Sequence, residues 1–86
     1  MDLYCQMGEE LRSLFADLFD PRHSRIVRQK MARIQAVAMQ IGGSIRKEAE
    51  QLNSDVIRYL DHPNDPKLVA VMKEHALKLE RETREI

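Results

Sequence analysis

The densest group of residues that could do chemistry is a basic run: Arg22, His23, Arg25, Arg28, Lys30 and Arg33. If the run is helical, at 100° per residue, Arg22, Arg25, Lys30 and Arg33 share the face opposite an apolar stripe. Cations so placed either contact phosphates, twice over in a dimer, or form a solvated face beside an acidic helix. The run has no interleaved aromatics and no glycine loop, and no recognition-helix arrangement accompanies it. The structural role is therefore expected, and nucleic-acid-associated regulation through residues 22–33 is the alternative.

The other reactive side chains do not assemble a site. His23, His62 and His75 lack metal-ligand spacing, and the chain has no H-E-x-x-H, EF-hand or P-loop motif. Ser13, Ser24, Ser44 and Ser54 lack a nucleophile-elbow context. Cys5 is the single cysteine, which excludes an internal disulfide and a cysteine-based zinc site. Met7, Met31, Met39 and Met72 suit core gaps, or an adaptable binding groove. No catalytic residue, cofactor or metal is expected, and the chain is read as non-enzymatic.

Two short segments resemble known families. His75-Ala76-Leu77-Lys78 resembles the H-x-L-K core of histidine phosphotransfer domains, which are also helical bundles. That resemblance implies phosphotransfer at His75. The family has Gly after the Lys, where this chain has Leu79 of an apolar stripe, and His75 itself is read as a helix-surface histidine. Leu60 to Leu68, with Pro63-Asn64-Asp65-Pro66 and the following Leu68-Val69-Ala70, is similar to the helix–turn–helix tip of type III secretion needle subunits. That similarity implies a subunit or co-chaperone of a secretion apparatus. Only 21 residues follow the turn, fewer than the family's second helix contains.

The elements that must carry these residues are helices. The 86 residues fit one small domain, with 33% charged and only 5% aromatic residues, a composition that favours helices with solvated faces over a β-sandwich. Net charge is zero, but it is segregated. Residues 1–21 carry five acids against Arg12, residues 22–47 seven bases and no acid, and residues 48–65 five acids against Arg58. The first ten residues do not read as a signal peptide, and no apolar run approaches a membrane span. A cytoplasmic location without membrane contact is expected.

Tyr4, Met7, Leu11, Leu14 and Leu18 step by three and four, as one face of a helix does. Asp20-Pro21 ends that helix and opens the next. A second stripe runs through Val27, Met31, Ile34, Ala38, Ile41 and Ile45, then Ala49, Leu52, Val56 and Leu60. It crosses Gly42-Gly43 without losing phase. Asp61-His62-Pro63-Asn64-Asp65-Pro66 punctuates, and Val69, Met72, Ala76 and Leu79 continue in a last helix. The unslipped phase predicts all-α helices over about 2–19, 22–60 and 66–86, the outer two folding back as antiparallel hairpins along one long central helix. Such a layer leaves its stripe uncovered, so a homodimer forming a helical bundle is expected. In the alternative, Gly42-Gly43 breaks the helix, Ser44 caps the next, and the chain closes by itself.

The functional expectation is a small protein-interaction module: an adaptor, small chaperone or assembly factor. Its partner is another protein, engaged through the stripe of Val27, Met31, Ile34, Ala38, Ile41, Ile45, Leu52 and Val56.

Overall fold

Each of the two Asp-Pro pairs marks a helix start. The computed structural model describes residues 2–84, the side chain of Pro21 excepted. The Asp2 carboxylate accepts the Tyr4 backbone N–H at 3.0 Å and opens α1, Leu3–Leu18. Asp20 accepts the Arg22 N–H at 3.0 Å and starts a 3-10 turn, Pro21–His23, that runs into α2, Ser24–Ile41. After α3, Gly43–Asp61, Asp65 accepts the Lys67 N–H at 3.0 Å and opens α4, Pro66–Arg84. Each cap satisfies a backbone donor that the first turn of a helix leaves unpaired. The end expected at residue 86 lies outside the described residues.

The long central helix is not present. Gly42, at φ 76° and ψ −165°, separates α2 from α3, and Gly43 follows at φ 60°. Side chains rarely adopt such angles, and glycine adopts them freely. No side chain caps α3, and Ser44 lies within its first turn instead of ahead of it. A continuous helix over 22–60 would be about 58 Å long, against a longest dimension of 36 Å.

The break supplies the fourth wall of a closed bundle. Each helix packs on the next, and α4 returns to α1. The fold is all-helical, with no strand among the described residues. The radius of gyration is 12.0 Å, the value of about 12 Å expected for a compact chain of this length. Leu11, Leu14, Val27, Ile34, Leu52, Met72 and Leu79 are buried in one core. The apolar surface for which a second copy was invoked is therefore covered within the chain. Val37 and Tyr59, off the expected stripes, are also buried. A helix flanked on two sides needs a wider apolar face than a hairpin seam does. At Gly8, α1 approaches α4 closely: an added Cβ would lie 3.3 Å from Thr83 Oγ1.

Candidate functional site

The expected basic face divides into paired and unpaired cations. Arg22 is tied to the capping carboxylate: Nε donates to Asp20 Oδ1 at 3.1 Å and Nη2 to Oδ2 at 2.9 Å. Those bonds hold the Asp20 carboxyl at about 2. Lys30 does not lie on the face opposite the stripe. It is four residues, about 40°, from Ile34 and turns toward α1. There Nζ donates to Asp17 Oδ2 at 2.5 Å and to the Ser13 carbonyl at 2.9 Å. His23 Nδ1 meets the other Asp17 oxygen at 2.9 Å. The acidic first helix thus neutralises Lys30 and, together with Asp20, the start of the basic run.

This corner should weaken in acid. The Lys30 hydrogen bond is the main cause that lowers the Asp17 carboxyl from its usual value of 3.8. A carboxyl depressed on folding contributes stability that is complete above the unfolded value and lost as pH falls through the folded one. The melting temperature should fall as pH drops below the usual carboxyl value of 3.8. Lys30→Gln should lower it by a few degrees at pH 7 and flatten the acid slope. An unchanged slope in that variant, followed by circular dichroism, would show that Lys30 does not hold Asp17.

Arg25, Arg28 and Arg33 are exposed and make no hydrogen bond or ion pair with the described residues. Arg25 lies on the outer face of α2 with exposed Ala32, Ala36 and Met39, and Arg28 and Arg33 flank it on either side. Met39 is 66% exposed.

The expected interaction stripe points the other way. Val27, Met31, Ile34, Ala38, Ile45, Leu52 and Val56 are buried in the core, and Ile41 is half-buried at the end of α2. The seven buried residues hold the bundle together and present no outward face.

Sequence reasoning missed a polar cluster between α3 and α4. Asp55, 5% exposed, bonds His75 Nδ1 and accepts Gln51 Nε2 at 3.1 Å. A carboxylate at Nδ1 fixes that nitrogen as the N–H and leaves Nε2 as the free one. One turn on, Lys78 Nζ lies 3.5 Å from Glu48 Oε1. Glu48, Gln51, His75 and Lys78 line a cleft of about 120 Å³. Glu48 Oε2 is buried and makes no hydrogen bond with the described residues. Leu79, at the glycine position of the histidine phosphotransfer motif, is buried in the core.

The arrangement can position an imidazole but offers little to surround a substrate. Among the described residues no three His, Cys, Asp or Glu side chains gather to hold a metal, and no helix is long and apolar enough to cross a membrane. No protein-family model, curated protein or solved structure matches the chain.

Proposed function

We propose that the chain is a non-enzymatic helical interaction module whose contact surface is the outer face of α2. The reading rests on one observation: Arg25, Arg28 and Arg33 make no ion pair among the described residues, while Lys30 and Arg22 are neutralised within the chain. Between these arginines lie Ala32, Ala36 and Met39, small or flexible side chains that let another helix approach. An acidic amphipathic helix of a partner protein fits that surface. Its apolar edge would rest on Ala32, Ala36 and Met39, and its carboxylates would meet the arginine forks. An adaptor, small chaperone or assembly factor would work through such a contact.

A titration of the isotope-labelled chain distinguishes this from phosphate recognition. The probes are an acidic amphipathic model helix, a DNA duplex and a single-stranded RNA, each at 150 mM salt. The peptide should shift the amide resonances of residues 25–40. Replacing Arg25, Arg28 and Arg33 together by Gln should weaken it about tenfold or more while moving stability by less than about 0.5 kcal/mol, because exposed, unpaired charges hold nothing in the fold. Stronger binding of either nucleic acid, with a salt slope reduced by about one per lost phosphate contact, would replace this reading with the regulator.

A further inference from the structure

We infer that a second copy of this chain fits the same core, giving a domain-swapped dimer opened at Gly42-Gly43. In it α2 and α3 of each copy join into one continuous helix. The α1–α2 pair of one copy then packs on the α3–α4 pair of the other.

Three observations carry this. The hinge has room: a Cβ added at Gly42 or Gly43 would meet nothing within 4 Å, so no neighbouring atom obstructs a change of backbone angle there. The left-handed angles of the two glycines, φ 76° and 60°, make the bend. The helical hydrogen-bond ladder also runs up to the hinge from both sides. Gly42 N–H reaches the Ala38 carbonyl at 2.8 Å, and Arg46 N–H reaches the Gly42 carbonyl at 3.3 Å. Rotating a few backbone angles makes the ladder continuous.

The apolar phase is the third observation. Ile41 and Ile45 are four residues apart, so a joined helix keeps both stripes on one face. A loop between two independent helices has no need of that register, whereas the swapped dimer requires it. The dimer keeps the α1–α2 and α3–α4 contacts within each copy. It rebuilds the α2–α3 and α1–α4 contacts between copies, residue for residue. The two forms therefore share one core and differ in the hinge and in chain entropy, the condition under which exchange of elements is a low-cost route to a dimer. The inference is independent of the outer face of α2, which stays exposed in both forms.

The test changes the hinge alone. Gly42→Ala with Gly43→Ala disfavours the bend and favours the helix. Four alanines per dimer should strengthen dimerisation by roughly a thousandfold, at about fivefold per glycine replaced in a helix interior. Sedimentation should give a dimer at micromolar concentration. In the same background, Cys5→Ser with Gln29→Cys and Arg58→Cys places two spin labels on one chain, diluted into unlabelled protein. The intrachain distance should rise from roughly 10–20 Å across two packed helices to about 44 Å along one. Inserting two glycines between Gly42 and Gly43 is the control. It turns the two stripes of a joined helix about 200° apart, and that variant should stay monomeric. A monomeric double-alanine chain, a dimer that keeps the short distance, or an insertion variant that dimerises equally well would each overturn the inference.

Discussion

Ile34→Asp should leave the chain unfolded at 25 °C, whereas Ile41→Asp should leave it folded and weakened. Both residues belong to the same sequence stripe, so the contrast comes from the structure. Ile34 is fully buried in the middle of α2 and faces the common core. A carboxylate there has no cation within the core to meet it, and burying an unpaired charge costs several kcal/mol or forces its protonation. Losing the isoleucine adds about 2–5 kcal/mol. The whole stability of a chain this size is about 4–13 kcal/mol. Ile41 is half-buried in the last turn of α2, beside the hinge. Its carboxylate reaches water, and the cost falls to about 1–2 kcal/mol, part of it from a negative charge at a helix C-terminus. Circular dichroism at 222 nm with urea titration separates the two outcomes. Equal losses in both variants would mean that the stripe is uniformly buried, as a long paired helix would bury it.

The same pair of residues marks how much of this molecule its sequence discloses. Helix type, the two Asp-Pro starts and the core stripe follow from local chemistry, because capping and periodicity are properties of neighbouring residues. The break at Gly42 does not follow from periodicity. Ile41 and Ile45 are in phase as they would be on a continuous helix, and each still turns toward the core when the chain folds back between them. Only the covering of the stripe separates the two arrangements. One chain covers it by bending, and the glycines permit the bend.

The candidate sites show the same division. Arg25 and Arg33 were legible as an exposed face, because nothing on α1 reaches them. Lys30 was not, because its position on the flank of the stripe acquires meaning only when α1 lies beside it. The Asp55–His75 pair was legible in principle. The two residues lie equally far from Asp65, in the turn between α3 and α4, and an antiparallel hairpin places such residues opposite each other. The signal went unused because one acid and one histidine twenty residues apart form no motif. Their pairing comes from the register of two helices, which is a property of packing.

That pair carries the second large effect. His75→Ala should lower the melting temperature by about 10 °C or more. Asp55 is 5% exposed, and without the imidazole its only side-chain partner among the described residues is the neutral amide of Gln51. A carboxylate left buried with one neutral donor costs about 2–4 kcal/mol, and in a domain of this size each kcal/mol moves the midpoint by about 4–8 °C. The side chain of His75 is 38% exposed, which keeps the loss at the lower end of what a fully buried pair would give. The double change Asp55→Leu with His75→Leu should cost less than His75→Ala alone. It removes the stranded charge and fills the gap with apolar volume, and buried ion pairs replaced in that way are often no less stable. Thermal denaturation of the single and double variants at pH 7 measures the coupling. A double variant worse than the sum of its singles would mean that α3 and α4 need the pair for their register; a His75→Ala midpoint within about 2 °C of the parent would mean that water already serves Asp55 as well as the imidazole does.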